Sequence, residues 1–382
     1  NPMVSMPDAD RFKRALKNCE MVVVSDCIEK TDTTAIADIL LPAATWGEKD
    51  GTVTNSERRI SRQRAFLPIP GKAKPDWWIL SEVGKALGYA EQFNYERPAD
   101  IFAEHAALSN FENNGTRDFY LGELANLSDE EYDQLAPIQW PVNSLTHSDS
   151  QRMFGEGKFF TPSGRAQFIP INSKLPERQA SKKHPFILNT GRIRDQWHTM
   201  TRTAKTSRLL QHKEQPYLDI SPQDAEQLAV SSGDIVRVSN DQGELLLRAS
   251  INEGQTSGTV FAPMHWTNRY ASKARVGVVI PALVDPVSGQ PELKHAPVAV
   301  SAYKAKWQGL LILANEPESI ASDYWSHSPF EKGHCYHLAS DSEADAGFNS
   351  LKKLLPKGEM ISLEDSAAGS YRVAICDAAQ LA

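Results

Sequence analysis

Phe186-Ile187-Leu188-Asn189-Thr190-Gly191-Arg192-Ile193-Arg194-Asp195-Gln196-Trp197-His198-Thr199 is the stretch on which the reading of this chain turns. Its apolar head, Phe186-Ile187-Leu188, predicts a strand. The residues that follow crowd a glycine, two arginines, a tryptophan, a histidine and several hydroxyls into a turn-rich loop. Glycine lets the backbone approach a ligand closely, and arginines and free amides bind phosphate oxygens. A loop of this make-up at a strand end suits a large anionic cofactor better than a metabolite. The alternative is a surface turn with an arginine-rich face. It leaves Trp197 unexplained, because an exposed tryptophan beside histidine and arginine usually has something to stack on.

Downstream, the texture is that of short strands. Ser221-Pro222-Gln223-Asp224 starts a short helix by capping logic. Gly233-Asp234 precedes Ile235-Val236-Arg237-Val238, Asn240-Asp241-Gln242-Gly243 turns into Leu245-Leu246-Leu247, and Gly258-Thr259-Val260-Phe261 follows. This spacing predicts a compact β-barrel. Upstream, Pro7-Asp8-Ala9-Asp10 opens a helix with Phe12, Ala15 and Leu16 on one face. Met21-Val22-Val23-Val24 predicts a buried strand, a short helix covers 33–37, and Ile39-Leu40-Leu41 is a strand stopped by Pro42. Helix, strand, helix, strand is a Rossmann-like α/β order, in which ligands bind beyond the carboxyl ends of the strands. Residues 76–135 read as helices over 76–87, 99–108 and 129–135, and prolines and polar residues dominate 136–184. The expected organisation is a Rossmann-like α/β region over 1–150, a linker over 151–183, a β-barrel domain over 184–305 and a small acidic α+β module over 308–382. In that last module Leu310-Leu311-Ile312, 348–355 and 371–375 predict strand, helix and strand.

At 382 residues the chain is long enough for two or three domains with real cores. Hydrophobic content of 41% and charged content of 23% are those of a soluble globular protein, and no apolar run has the length of a bilayer span. The net charge of −7 argues against general nucleic-acid binding. Residues 308–382 hold eleven Asp/Glu and five Lys/Arg, a balance of −6, which leaves about −1 for residues 1–307. That acidic segment reads as a solvated small domain or, alternatively, as a docking face for a basic protein partner. Within the nearly balanced remainder, Arg192, Arg194, Arg202, Lys205 and Arg208 cluster in sequence and can hold an anion. Cys19, Cys27, Cys335 and Cys376 form no C-x-x-C pair, which excludes an iron–sulfur or zinc framework within the chain and fits a reducing cytoplasm. Asn1-Pro2-Met3 is neither an initiator methionine nor a signal segment, so Asn1 is expected to be a cut into a longer protein.

Smaller constellations surround these. Ser25-Asp26 follows a strand: Asp26 is either a turn former or a carboxylate that accepts the paired N–H donors of guanine or ribose hydroxyls. Asp76, after Lys72-Ala73-Lys74-Pro75, has the same ambiguity, with helix capping as its default role. Lys49 lies in Trp46-Gly47-Glu48-Lys49-Asp50-Gly51, with Asn55-Ser56-Glu57-Arg58-Arg59 close behind; the stretch reads as a charged loop that is solvated or rims a cofactor. Lys294 ends the turn-rich Asp285-Pro286-Val287-Ser288-Gly289-Gln290-Pro291-Glu292-Leu293-Lys294 and can reach a phosphate. Gly333-His334-Cys335-Tyr336-His337 is better read as a strand than as a metal site, for want of a second ligand pair.

Taken in order, Asn1-Pro2, Ser25-Asp26, Trp46 to Lys49, Asn55 to Arg59, Asp76, the 190–199 loop and the 285–294 turn resemble bacterial molybdopterin oxidoreductases of the DMSO reductase type. The chain looks like the carboxyl-terminal half of an assimilatory nitrate reductase catalytic subunit over about residues 1–303. The resemblance implies that residues 185–303 form a double-psi β-barrel. It also implies that Asn1, Ser25, Asp26, Lys49, Asp76, Thr190, Gly191, Arg192, Ile193, Arg194, Asp195, Gln196, Trp197, His198, Thr199 and Lys294 contact a bis-(molybdopterin guanine dinucleotide) molybdenum cofactor. Asp26 and Asp76 would read guanine or ribose, the loop amides and Arg192 would hold pyrophosphate, and Lys49 and Lys294 would neutralise pterin or phosphate oxygens.

The family's [4Fe-4S] cysteines and its molybdenum ligand are expected upstream of Asn1, so neither a catalytic residue nor a metal ligand is assigned within the chain, and the fragment alone is expected to be inactive. An asparagine expected near Arg275-Val276-Gly277 is absent, and a [2Fe-2S] segment found in some relatives would lie beyond Ala382. The implied reaction is reduction of nitrate to nitrite in the cytoplasm, with electrons from a ferredoxin, a flavodoxin or an NAD(P)H-dependent reductase subunit, and with neither nucleic acid nor membrane as partner. A formate dehydrogenase is the rival enzyme, and a non-catalytic scaffold or electron-transfer relative is the rival class.

Overall fold

A computed structural model describes residues 1–143, 152–365, 367–377 and 380–381. The chain crosses between two compact units: one joins residues 1–22, 30–38 and 175–382, the other residues 23–29 and 39–174. The domain boundary expected near residue 150 falls on 144–151, outside the described residues. Among the described residues no helix is long and apolar enough to cross a membrane.

In the second unit, β1 (Val23–Asp26) pairs in parallel with β2 (Ile39–Pro42), with Val23 opposite Ile39 and Asp26 opposite Pro42. The strand expected over 21–24 therefore starts two residues later. It is also not buried, since Val23 is 46% and Ile39 43% exposed. The stretch read as a charged loop is a hairpin, β3 (Gly51–Thr54) against β4 (Arg59–Gln63), which β5 (Ile138–Gln139) extends. Its turn is closed by the Asn55 carboxamide oxygen, which accepts N–H groups from Glu57 and Arg59, both at 3.0 Å. Polar residues hid this hairpin because Arg62 is buried by its partners: its guanidinium lies 4.0 Å over the Tyr132 ring and 3.1 Å from Asp133. Helices run over Asp76–Ala86, Pro98–Asn110 and Asp129–Asp133, within three residues of the expected bounds. Ile60, Phe102, Leu121, Leu124, Tyr132 and Val142 form this unit's core.

The first unit is organised around a closed barrel of six strands: β6 (Phe186–Gly191), β7 (Tyr217–Ile220), β8 (Ile235–Ser239), β9 (Glu244–Ile251), β10 (Thr259–Pro263) and β11 (Ala296–Ala302). Round the barrel they run β10-β6-β11-β8-β9-β7, with β10–β6 and β9–β7 parallel and the other four pairings antiparallel. Leu188, Leu218, Ile220, Val236, Val238, Leu245, Leu247, Val260 and Val298 fill it. The expected cap is present: the Ser221 hydroxyl accepts the Asp224 N–H at 3.1 Å and starts the helix Pro222–Leu228.

The amino-terminal segment folds with this barrel unit through Arg275. Its side chain, only 7% exposed, donates to the Met3 carbonyl at 2.8 Å, to Asp10 at 2.5 Å and to the Asn268 carboxamide at 3.1 Å, with the Asp32 carboxylate at 3.9 Å. Burial lifts the Asp32 carboxyl above the usual carboxylate range, against the lowering effect of the Asn268 N–H and Arg275. Gly277 completes the seam: a Cβ there would lie 2.5 Å from the Met6 carbonyl oxygen and 2.8 Å from that of Val4.

Residues 307–381 are richer in strands than the sequence suggests. β12 (Trp307–Leu313), β13 (Tyr324–Phe330) and β14 (Gly333–Ser340) form one antiparallel sheet in the order β12-β14-β13, and β15 (Glu359–Asp365), β16 (Ser370–Asp377) and β17 (Gln380–Leu381) form another. The helix Ala344–Lys352 lies between them in sequence, four residues ahead of the expected 348–355, and Gly347 packs on Trp307. β13 escaped notice because its buried residues are polar, with Ser326 and Ser328 on one face and His327 on the other all buried.

Removing the Arg275 guanidinium strips the shared donor from Met3, Asp10 and Asn268 and leaves the Asp32 carboxylate buried. Arg275→Ala is expected to cost about 3–5 kcal/mol in urea denaturation. Arg275→Lys should recover only part of it, since an ammonium cannot span acceptors laid out for a planar fork. Equal stability of Arg275→Ala and the parent chain would show that the seam does not depend on this residue.

Candidate functional site

The expected site residues fall into two clusters, one within each unit. In the barrel unit, parallel pairing of β6 with β10 sets Pro263 opposite Gly191, and the Met264 N–H extends the ladder to the Gly191 carbonyl at 2.9 Å. The 190–199 loop leaves the barrel at that point. A Cβ on Gly191 would lie 3.1 Å from the Phe261 ring and 3.5 Å from the Lys294 ammonium, so glycine keeps this passage open. The Lys294 ammonium donates to the Thr190 carbonyl, which brings the two distant parts of the expected site together.

The loop is fixed along its length. The Arg192 guanidinium lies 5.1 Å over the Trp197 ring, which is 56% exposed and meets the His198 ring edge-on at 4.4 Å. Arg194 grips Asp195 through two hydrogen bonds of 3.0 Å, and His212 stands 2.9 Å from the same carboxylate. That arginine holds the Asp195 carboxyl below its ordinary range. Gln196 is buried: its amide donates to the Leu209 carbonyl at 3.3 Å and its oxygen accepts the Thr203 hydroxyl at 2.7 Å. Asn1 donates to the Thr199 hydroxyl at 3.3 Å, while its own carboxamide oxygen accepts the Thr33 hydroxyl at 2.8 Å and the Thr33 N–H at 3.2 Å. His198 and Met200 sit at φ 44° and 61°, in the left-handed region that costs a non-glycine residue roughly 1 kcal/mol or more.

Sequence reasoning marked Met264-His265-Trp266 at the end of a strand but gave no positioning role to the histidine that anchors this loop from behind. His265, fully buried, approaches the His198 carbonyl through Nδ1 at 2.6 Å and receives the Ile193 N–H on Nε2 at 2.9 Å. Its place directly after a strand, between Met264 and Trp266, is the only cue the sequence offers. The indole N–H of the next residue, Trp266, and the Thr190 hydroxyl on β6 are buried without a hydrogen-bond partner.

In the other unit, Ser25, Lys49 and Asp76 converge. The Lys49 ammonium is 2.7 Å from one Asp76 oxygen, and the Ser25 hydroxyl donates to the other at 3.4 Å. Asp26 accepts the Ile28 N–H at 2.9 Å, the turn-forming arrangement, while its carbonyl accepts the Ala43 N–H at 3.1 Å. The default capping role of Asp76 is not what the structure has. Pro75 occupies the cap position without a side-chain bond, and Asp76 is the first helical residue, where its charge suits the helix dipole. Lys49 and Asp76 are 31% and 50% exposed, so their pairing is worth at most about 1 kcal/mol and does little for folding.

Among the described residues no group of three or more His, Cys, Asp or Glu side chains is arranged to hold a metal. The Gly333-to-His337 stretch is part of β14; His334 Nδ1 lies 2.9 Å from Nε2 of His327, a residue the sequence did not single out. No disulfide joins the four cysteines.

The family pattern described as "Molydopterin dinucleotide binding domain" matches residues 186–297, and that described as "Molybdopterin oxidoreductase" matches residues 1–86. Every residue of the two clusters that was singled out in the sequence lies within one of these two ranges. A nitrate reductase of Klebsiella oxytoca is 43% identical over 325 residues, which are 85% of this chain and 37% of that protein. The alpha subunit of an F420-dependent formate dehydrogenase of Methanocaldococcus jannaschii is 35% identical over 300 residues, 78% of this chain and 42% of that subunit. Acetylene hydratase from Pelobacter acetylenicus shares the fold, with a TM-score of 0.57 and 19% sequence identity over 79% of this chain and 43% of its own. The chain thus spans about two-fifths of the length of these relatives. A closed six-stranded barrel coinciding with the dinucleotide-binding match, joined to a segment matching the oxidoreductase itself, makes this chain a member of the molybdopterin oxidoreductase family.

Proposed function

We propose that this chain supplies part of the protein wall around a bis-(molybdopterin guanine dinucleotide) cofactor, within a longer molybdenum enzyme that reduces nitrate to nitrite in nitrate assimilation. The observation that carries the reading is the 190–199 loop: it pairs Arg192 with a half-exposed Trp197 at the end of a barrel strand and lies inside the dinucleotide-binding match. The residues present fit such a group. The Thr190 hydroxyl is a buried polar atom lacking a partner, Gly191 keeps the backbone bare, and Lys294 and Arg192 supply positive charge beside them.

Each cluster offers its own chemistry. In the barrel unit, the amides of the loop and Arg192 hold pyrophosphate oxygens, Trp197 gives a flat face for a ring, and Lys294 and Asn1 complete the polar contacts. In the other unit, Asp26 and Asp76 accept N–H donors of guanine or hydroxyls of ribose, Ser25 orients Asp76, and Lys49 balances its charge until a ligand oxygen competes for the ammonium. When bound, the molybdenum cofactor supplies the oxygen-transfer chemistry; these side chains bind, orient and neutralise. We read the β1–β2 pair as part of a Rossmann-like layer, the barrel as double-psi, and 1–150, 184–305 and 308–382 as the functional divisions. The same reading includes a [4Fe-4S] cluster and the metal ligand on other parts of the longer protein. It also includes a ferredoxin, flavodoxin or NAD(P)H-dependent donor and a cytoplasmic location, without nucleic acid or membrane.

Nitrate is favoured over formate because the nitrate reductase relative is more similar than the formate dehydrogenase, 43% against 35% identity. The longer protein should oxidise reduced viologen with nitrate and leave formate untouched; formate oxidation without nitrate reduction would reverse the choice, and neither activity would favour the scaffold reading. For the chain itself, calorimetric titration with GDP-mannose, a guanylated pyrophosphate diester, should give tighter binding than the adenosine counterpart. Asp26→Ala and Asp76→Ala should each weaken it by about tenfold, the effect of one charged hydrogen bond, while shifting thermal stability no more than a surface pair does. Equal affinity for both nucleotides, or no effect of either variant, would overturn the assignment of guanine recognition to these carboxylates.

A further inference from the structure

Among the described residues, His265 is the one ring in the barrel unit whose two nitrogens both serve the backbone of the same loop. The Ile193 N–H can only donate, so Nε2 must carry the lone pair, and the proton sits on Nδ1, which donates to the His198 carbonyl. The tautomer is therefore dictated by the partners, not chosen. The two contacts span Ile193 to His198 and close the loop on itself around Trp197, with Arg192, which stacks on that ring, immediately before the span; the phosphate-holding face depends on both. They also hold His198 at its φ of 44°, a backbone state it would leave if released.

We infer that neutral His265 is the positioning residue that shapes the 190–199 loop, and that its protonation dismantles the loop's phosphate-binding face, giving ligand binding an acid limit. The consequence for ligand rests on the function proposed above; the hold on the loop does not. A protonated ring would set an N–H against the Ile193 N–H, losing one bond and stranding a buried donor. The titratable and charged groups bearing on the ring are Arg192 and His198. Burial first, then these neighbours, push His265 below its ordinary value of 6.5, with the His198 carbonyl opposing them. The sign follows. A histidine lowered in the folded state gives its full contribution above pH 6.5 and loses it as the pH falls through the lowered value. A buried positive charge by itself would strengthen anion binding, so weaker binding in acid isolates geometry from electrostatics.

The test uses three versions of the chain. In nitrogen-15 spectra the His265 ring should show the Nδ1–H form and stay neutral below pH 6.5. The Ile193 amide should exchange slowly and lose about tenfold protection as the ring titrates. His265→Asn keeps an amide donor near Nδ1 and removes the acceptor at Nε2, so at neutral pH it should bind GDP-mannose about tenfold more weakly and leave Ile193 unprotected. His265→Gln restores a non-titrating acceptor near Nε2; it should bind within about threefold of the parent and lose the acid limit. Should His265→Asn fail to fold, the flat pH profile of His265→Gln carries the test. An Nε2–H ring, an Ile193 amide protected equally in His265→Asn, or an acid limit that persists in His265→Gln would each overturn the inference. If GDP-mannose does not bind the parent chain at all, the proposed function fails on that point, and the Ile193 amide still decides the role of His265.

Discussion

The parallel pairing of β6 with β10 is the constraint on which the rest of the barrel unit's site depends. Parallel neighbours finish at the same end of the barrel, so the chain leaves Gly191 and Pro263 side by side. Everything distinctive follows from that adjacency. The loop after β6 carries the arginines and the tryptophan, and the residues after β10 carry the buried ring that fixes it. An antiparallel pairing would have sent the two exits to opposite ends and left the loop without support from behind. Closure of the barrel makes the pairing rigid, because β6 is held by β11 on its other edge and β10 by β7.

Much of this was legible in the primary structure, and the limits have physical causes. Strands of β-branched and leucine residues between glycine and asparagine turns announced the barrel, since side chains buried on a closed sheet leave a near-continuous apolar signature. Helices with proline or serine at their starts announced themselves through their caps. The hairpin of β3 and β4 did not, because Arg62 is buried by stacking on Tyr132 and pairing with Asp133, contacts some seventy positions away in the chain. β13 stayed hidden because polar residues lie inside it: β14 and the 270–272 segment cover Ser326, His327 and Ser328, although the Ser326 hydroxyl and His327 Nδ1 find no hydrogen-bond partner there. Local pattern reports which residues prefer to be dry. It cannot report which polar residues have been supplied with partners.

The two clusters differ in how they are held. In the barrel unit's cluster nearly every loop residue has a specific partner, and two of the buried groups at it, the Thr190 hydroxyl and the Trp266 indole N–H, have none. That combination of over-determined backbone and unmet polar capacity is unusual for a mere turn, because an orphaned buried hydroxyl or indole N–H is costly unless something satisfies it. The Ser25–Lys49–Asp76 cluster is looser, half-exposed and cheap to rearrange. An exposed ion pair beside a hydroxyl keeps both charges available at little energetic cost, which suits a surface that must exchange its own contacts for those of a ligand.

Gly277 has a wider consequence. The residues around it lack the asparagine that the family resemblance led one to expect, and the backbone of residues 4 and 6 passes so close that even a methyl group has no room. Position 277 is thus a keyhole through which the leading segment is threaded against the barrel. Because the obstruction would be steric and not electrostatic, neither salt nor pH could relieve it. A single carbon added there would act as a wedge, prising the first residues of the chain from their berth while the six strands behind them stay closed.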